Sequence, residues 1–126
     1  MTPPSGFFSK LNRSPEELRE INLRHWSESI EGTIPIKDAK SRERVKVAGV
    51  IQNIRIDPRE GSGSIEATFK DGTGEMVAKW LGRQQLAGIA LGAGLIVEGI
   101  VGSTGSSGEP AILNPEYDLV TSPEHG

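Results

Sequence analysis

The sequence predicts a mainly β protein, a small barrel of five strands that one helix precedes, with a short helix between the third and fourth strands. Three observations carry this prediction. Apolar and polar residues alternate with period two in several stretches after Arg44, as half-buried strands require. Glycine (16 residues) and proline (8 residues) are abundant, which suits a turn-rich β protein better than a helical bundle. A length of 126 residues leaves room for one domain of ordinary size.

A helix is predicted over residues 14–31. Ser14 is a suitable N-cap, Pro15 stands at the first helical position, and Glu17 at the third can close a capping box. Apolar residues cover a broad arc of this helix, so it can pack on a barrel or bind a partner. We expect residues 1–13 and 122–126 to be flexible ends.

The first strand is predicted to be long and bent. Val45, Val47 and Ile51 share one phase of an alternating pattern that begins at Arg44. The pattern slips near Gln52 and then resumes in the opposite phase. We therefore expect a β-bulge there, of the kind with which small barrels turn their corners.

A tight hairpin follows. Residues 65–69 alternate, Asp71-Gly72-Thr73-Gly74 supplies a turn, and residues 75–81 alternate again. The phases of Phe69 and Trp80 place both rings in the core.

The remaining pattern predicts a short helix over residues 84–91, a strand over 95–101 and a last strand over 111–120. Asn114-Pro115 interrupts the last strand, which implies an edge or a bulge. Five strands with a helix between the third and fourth form the OB arrangement. We predict a five-stranded Greek-key OB-fold barrel over residues 42–121.

The stretch from Val45 to Val101 resembles OB-fold nucleic-acid-binding domains in the segments GVIQNIRI, IEATFKDGTGEMVAKWLGR and LGAGLIVEGIVG. The hairpin is similar to the second and third strands of anticodon-binding and related single-strand-binding domains, and the ending ILNPEY is similar to the last strand of the wedge domain of branch-migration helicases. The resemblance implies a small stand-alone bacterial protein without the helicases' ATPase. It also implies a ligand that crosses strands two and three, between the loops that follow strands one and four.

Basic residues are confined to the first two thirds of the chain. The formal net charge of -3 counts against a protein that coats duplexes, since such binding neutralises many phosphates. Residues 44–83 hold seven basic and five acidic residues, whereas residues 84–126 hold five acidic residues and no Lys or Arg. The predicted nucleic-acid contacts, which include one aromatic residue of the last strand, are Arg44, Lys46, Arg55, Arg59, Lys70, Lys79, Arg83 and Tyr117. The alternative is an ordinary solvated face, with Glu60, Glu66 and Glu75 as neighbours of these cations.

No catalytic, metal or cofactor site is predicted. Cysteine is absent, which excludes thiol chemistry and the common zinc clusters, and His25 and His125 stand too far apart in the sequence to suggest a metal pair. No nucleophile with a base and an orienting group can be assembled, so we do not expect an enzyme. The longest apolar stretch, Leu86 to Val97, is too short to span a bilayer, and no signal peptide is apparent, so we expect a cytoplasmic protein.

Two functions stay open at this point. One is a module that binds nucleic acid, single-stranded or branched DNA or RNA, without catalysis. The alternative is a protein–protein interaction module that uses the barrel and the N-terminal helix. Ile96 and Ile100 are expected to face outward on the fourth strand, and something should cover them. The candidates are the helix, through Leu23, Trp26 and Ile30, a second subunit, or another protein.

Overall fold

The strands of the chain occur in the order that the alternation predicts. The computed structural model describes residues 14–58, 63–82, 86–103, 109–121 and 123. In these residues the chain forms helix α1 (Pro15–Glu28) and strands β1 (Arg44–Asp57), β2 (Ser64–Lys70), β3 (Glu75–Leu81), β4 (Gly94–Ser103), β5 (Pro110–Leu113) and β6 (Glu116–Val120). Strands β5 and β6 are the two parts of the last predicted strand, separated at Asn114-Pro115. Asn114 has a φ of 49°, which turns the chain out of the strand conformation.

Strand β1 closes the barrel because it pairs with two partners. Its first half, residues 44–50, pairs antiparallel with β4, and its second half pairs antiparallel with β2. The register shifts between Ile51 and Asn53, so the predicted bulge is confirmed, and it bends β1 from one partner to the other. Strand β2 then pairs with β3, β3 with β5, and β5 with β4. This ring of strands confirms the predicted barrel.

Gly49 lies at the point where β1 crosses close to β2. A Cβ atom at this position would lie 2.6 Å from the carbonyl oxygen of Lys70 and 2.9 Å from the ring of Phe69. The backbone of β2 cannot yield easily, so the crossing requires glycine.

The interior of the barrel is a single apolar core. The predicted core positions of Phe69 and Trp80 are confirmed, since both rings are buried. The indole N–H of Trp80 donates to the carbonyl oxygen of Pro115 at 3.1 Å, which satisfies the one polar atom of the ring. Other core side chains come from strands β1 to β5 and include Val47, Ile51, Ile65, Met76, Leu95, Val97 and Ile112.

Helix α1 is capped as predicted and packs on the outside of the barrel. The hydroxyl oxygen of Ser14 accepts the N–H of Glu17 at 3.1 Å. Leu23 is fully buried, and the ring of Trp26 lies so close to Gly94 that a Cβ there would come within 2.8 Å of it. The helix therefore covers the Gly94 end of β4, whereas Ile100 at the other end is 59% exposed.

The segment after α1 is tied to β1 and to the β2–β3 turn. The N–H of Ile34 donates to the carbonyl oxygen of Lys46, and the N–H of Ile36 donates to the buried carboxylate of Asp71, both at 2.9 Å. The same carboxylate accepts the N–H of Thr73 at 2.8 Å. Helix, linker and hairpin turn thus form one connected unit.

The short helix predicted over residues 84–91 is wrong for the part of it that the structure describes. Residues 86–93 form successive turns, the first of which is closed by the N–H of Ile89 and the carbonyl oxygen of Leu86 at 3.3 Å. Gly88 has a φ of 79°, a left-handed conformation that ends helical geometry after a single turn.

Several predictions fall outside the described residues. They concern the ends of the chain, residues 1–13 and 122–126 apart from Pro123, and two of the predicted contacts, Arg59 and Arg83. In the part of the chain that the structure describes, no helix is long and apolar enough to cross a membrane.

Candidate functional site

The outer surface of β2 and β3, with the second half of β1 beside it, carries three of the predicted contact residues, Arg55, Lys70 and Lys79. Successive side chains of a strand point to opposite sides, so the neighbours of buried Phe69, Met76 and Trp80 project away from the core. We call this surface the hairpin face. It consists of Ser64, Glu66, Thr68 and Lys70 of β2 and Glu75, Val77, Lys79 and Leu81 of β3, with Asn53, Arg55 and Asp57 of β1 and Ala111 and Leu113 of β5 at its sides.

A row of four side chains crosses the hairpin face. Arg55 lies opposite Glu66, Glu66 opposite Lys79, and Lys79 opposite Leu113. Directly opposed Cβ atoms on one side of a sheet are roughly 5 Å apart, so the row brings two predicted cations to one carboxylate. Leu113 is 47% exposed and ends the row with apolar surface.

Lys79 forms an ion pair within this row. Its Nζ lies 3.3 Å from Oε1 of Glu66, and each side chain is 29% exposed. This pair is better shielded from water than the pair of Arg44 and Glu98, whose side chains are 57% and 42% exposed. The positive charge of Lys79 is therefore partly compensated before any ligand arrives.

Arg55 and Lys70 are the two cations of the hairpin face that form no ion pair with a described residue. Arg55 is exposed, and Lys70 is half-buried opposite Glu75. Lys70 also lines a shallow depression with Glu20 of α1. One end of the hairpin face is thus bordered by carboxylates, while at the other end Arg55 lies opposite Glu66 and two residues before Asp57 on β1.

Arg44 and Lys46 lie on a different part of the barrel. They project from the first half of β1, which pairs with β4 and not with β2. The guanidinium of Arg44 donates to Oε2 of Glu98 at 3.0 and 3.3 Å, and the ammonium of Lys46 donates to the carbonyl oxygen of Glu31 at 2.9 Å. The structure does not bring these two cations to the hairpin face.

Tyr117 packs at the end of the barrel. Its ring centroid is 5.3 Å from that of Trp80, in an edge-to-face arrangement with an interplanar angle of 68°, and the ring is partly buried against the core. Among the described residues, no aromatic side chain lies on the hairpin face. Its exposed large apolar side chains are Leu81 and Leu113.

Leu113 is a residue of this face that sequence reasoning missed. Because Ile112 is buried and neighbouring side chains of a strand point to opposite sides, Leu113 must face outward. Its place beside Lys79 depends on the parallel pairing of β3 with β5, which no local pattern in the sequence indicates.

The acidic side chains of the described residues do not form a metal site, since no group of three or more His, Asp or Glu is placed to hold an ion. Asp71 and Thr73 bond to each other and close the hairpin turn. The described side chains of the hairpin face offer charged, hydrogen-bonding and apolar groups.

Comparison with known families gives a match over most of the barrel. A family model for tRNA anticodon domains, described as an OB-fold nucleic acid binding domain, matches residues 45–120. That range runs from the start of β1 to the end of β6 and includes the hairpin face. No curated protein sequence is significantly similar to the chain.

Solved structures share the barrel. RecG bound to a three-way DNA junction is 22% identical, over 88% of this chain and only 16% of the RecG chain, with a TM-score of 0.54. An OBody bound to hen egg-white lysozyme is 18% identical, over 75% of this chain and 99% of that one, with a TM-score of 0.56. A putative nucleic acid-binding lipoprotein from Klebsiella pneumoniae is 19% identical, over 93% and 99%, with a TM-score of 0.50. At these identities the likeness establishes the fold.

Proposed function

The chain belongs to the OB-fold nucleic-acid-binding family, and from this membership we propose that it binds single-stranded nucleic acid across the hairpin face, without catalysing a reaction. The observation that carries the proposal is the position of Arg55 and Lys70, which lack ion-pair partners among the described residues. Lys70 stands four residues along β2 from Glu66, the residue opposite Arg55, which is about 13 Å at the rise of a strand. Between them lie the half-buried Thr68 and the buried Val77, and we propose that a flexible strand follows this surface.

The other predicted contact residues are proposed either as further phosphate contacts or as secondary contacts. Arg59 and Arg83 follow β1 and β3 in the sequence, and we propose them as further phosphate contacts. Arg44 and Lys46 are proposed only as secondary contacts because Glu98 and the Glu31 carbonyl already hold them. Tyr117 is likewise secondary. A cytoplasmic location, where DNA and RNA are both accessible, is part of the proposal.

The affinity is expected to be modest and sensitive to salt. The net charge of -3 opposes the approach of a polyanion, and phosphate contacts weaken as salt rises. Stacking of bases on aromatic rings contributes about 1–3 kcal/mol per base in proteins that bind single strands tightly, and the described part of the hairpin face offers no ring.

Titration of labelled single-stranded DNA and RNA at low and moderate salt tests the proposal. A three-way DNA junction belongs in the same series because RecG, which has the same barrel, is bound to one. We expect binding at low salt that the double variant R55E/K70E abolishes. The control is R19E/K40E, which makes the same charge change at exposed cations outside the hairpin face and should retain most of the binding. Absence of binding at low salt, or equal effects of the two double variants, would contradict the proposal.

A second function, docking of a protein partner, is favoured by one observation. Ile100 is 59% exposed on the outer side of β4, and the neighbouring strand β6 presents exposed Glu116 and Asp118. Arg44 lies directly opposite Ile100 on β1, so charges of both signs border this apolar surface, and they suit a partner segment that is apolar with charged flanks. In a pull-down with bound proteins identified, the variant I100E should lose a partner that binds here and leave nucleic-acid binding unchanged. A partner retained by I100E, and lost on deletion of residues 1–35, would instead assign docking to the N-terminal helix.

A further inference from the structure

Glu66 stands in the middle of the hairpin face, between two cations. Arg55 lies on one side of it and Lys79 on the other, with Nζ of Lys79 3.3 Å from Oε1. A carboxylate has several acceptor positions and an ammonium three donors, so the pair leaves acceptors and donors open to a ligand. The centre of the face is therefore a hydrogen-bond acceptor held beside a hydrogen-bond donor.

A phosphate is a poor occupant of the position above Glu66. Both groups are negative, and their repulsion increases as the bound strand excludes water from the partly covered carboxylate. A strand that follows the cations must turn another group toward Glu66. Bases are neutral and carry N–H donors, and a single strand leaves their Watson–Crick edges open. A base edge is therefore the part of the ligand that fits.

The surface beside the ion pair includes an exposed apolar side chain. Leu113 lies opposite Lys79 and is 47% exposed, so an accessible apolar side chain lies next to the ammonium of Lys79. Val77 and Ala111 form the neighbouring row, and both are buried, so Leu113 is the accessible apolar side chain beside the ion pair. A base can place its ring on Leu113 and its edge against Glu66 and Lys79.

We propose that Glu66 and Lys79 form a base-selecting subsite that prefers guanine and disfavours thymine and uracil, an inference that rests on the proposed function. Guanine presents two adjacent donors, N1–H and N2–H, to the carboxylate and its O6 acceptor to the ammonium. Adenine and cytosine each present one amino donor beside a ring-nitrogen acceptor. Thymine and uracil flank their one N3–H donor with two carbonyl oxygens, which the carboxylate repels. The expected order is guanine, then adenine and cytosine, then thymine and uracil.

The test compares DNA strands of about twelve nucleotides, a length within the usual site size of one OB fold. A pure thymine tract is the reference. Each of the other strands is a thymine tract with a few isolated guanines, adenines or cytosines, and the isolation of these bases keeps the strands unstructured. The wild-type protein should bind the guanine strand about three- to tenfold more tightly than the thymine tract, at the low end for base-edge recognition because the site is partly solvated.

Two variants with the same charge change separate base selection from general electrostatics. Glu66→Gln should reduce the guanine preference to less than about twofold and raise affinity for the thymine tract, since the repulsive charge is gone. Glu75→Gln alters a carboxylate of the same face that forms no ion pair with a described residue. Glu75→Gln should raise the affinity for all strands equally and leave the guanine preference unchanged.

The outcomes distinguish the subsite from the proposed function. Equal affinity of the wild-type protein for all strands overturns base selection and leaves nucleic-acid binding standing. If E66Q and E75Q change the guanine preference equally, base selection by Glu66 is likewise overturned while nucleic-acid binding stands. If no strand binds even at low salt, both the subsite and the proposed function are overturned.

Discussion

Asp71 is a buried carboxylate that is stabilised by neutral donors. Its Oδ1 accepts the N–H of Thr73 at 2.8 Å, the hydroxyl of Thr73 at 2.6 Å and the N–H of Gly74 at 3.2 Å. Its Oδ2 accepts the N–H of Ile36 at 2.9 Å. One side chain therefore fixes the β2–β3 turn and also attaches the linker from α1 to it. This arrangement satisfies donors that would otherwise be buried without a partner.

Replacement of Asp71 should destabilise the whole domain. Asp71→Ala leaves the N–H groups of Ile36, Thr73 and Gly74 without their acceptor, and we expect the free energy of unfolding to fall by about 2–4 kcal/mol. Urea denaturation followed by circular dichroism measures this change. The control Asp118→Ala removes an exposed carboxylate and should change stability by less than about 0.5 kcal/mol. Equal effects of the two variants would show that the hydrogen bonds of Asp71 are unimportant.

Gly49 gives a second prediction at the residue scale. Gly49→Ala places a methyl group 2.6 Å from a backbone oxygen of β2, and we expect a loss of about 2–3 kcal/mol because the strand crossing must open. Gly102→Ala is the matched control within the same sheet, since its Cβ would meet nothing closer than 3.8 Å. Thermal unfolding of the two variants gives the comparison. A melting temperature of G49A equal to that of G102A would contradict the close crossing.

Single residues differ in how far the sequence reveals their roles. The phases of Phe69 and Trp80 within alternating strands were enough to place both rings in the core, because alternation depends only on neighbouring residues. The ion pair of Glu66 and Lys79 was not predicted, although both residues were recognised on one face, because it depends on strand register and side-chain reach. Tyr117 shares the phase of Val97 across β4 and β6, a pairing that the sequence alone does not show.

At the scale of elements, helix α1 is a part of the folded domain. Leu23 is fully buried, so Leu23→Ala should lower the free energy of unfolding by about 2–4 kcal/mol through lost burial and a cavity. Leu18 lies on the same helix and is 39% exposed, so Leu18→Ala should cost less than about 1 kcal/mol. Urea denaturation compares them. If α1 did not contribute to the stability of the barrel, both variants would unfold at the same urea concentration as the wild-type protein.

The sequence predicted the elements best where a local signal defines them. The cap at Ser14, the turn at residues 71–74 and the bulge after Ile51 all depend on residues that are close together in the chain. The helix predicted over residues 84–91 failed in the described part because Gly88 was treated as an interior residue, whereas it adopts a left-handed conformation. The parallel pairing of β3 with β5 is a long-range contact, and local patterns do not contain it.

At the scale of the whole molecule, the uneven charge along the chain becomes an uneven charge in space. The hairpin face comes from the part of the sequence in which basic residues exceed acidic ones, whereas β4, β5 and β6 lie in the part without Lys or Arg. Glu116 and Asp118 are exposed on β6, beside β4. The exposed carboxylates of β6 repel a polyanion, so we expect the proposed ligand to approach from the hairpin face.

The number of cations on the hairpin face fixes the expected salt dependence of binding. Arg55 and Lys70 are the described cations of this face without an ion pair to a described residue, and neutralisation of two phosphates on a single strand gives a slope of about -1.4 for the logarithm of the association constant against the logarithm of salt concentration. Lys79 is assigned to the base-selecting subsite with Glu66, and phosphate contacts by Arg59 or Arg83 should make the slope steeper. Titrations over a series of salt concentrations measure the slope. Arg55→Gln removes one phosphate contact and should reduce its magnitude by about 0.7, whereas Arg19→Gln, a change at an exposed cation of α1, should leave it unchanged. A slope near zero, or one that Arg19→Gln reduces as much as Arg55→Gln does, would mean that the strand does not follow the hairpin face.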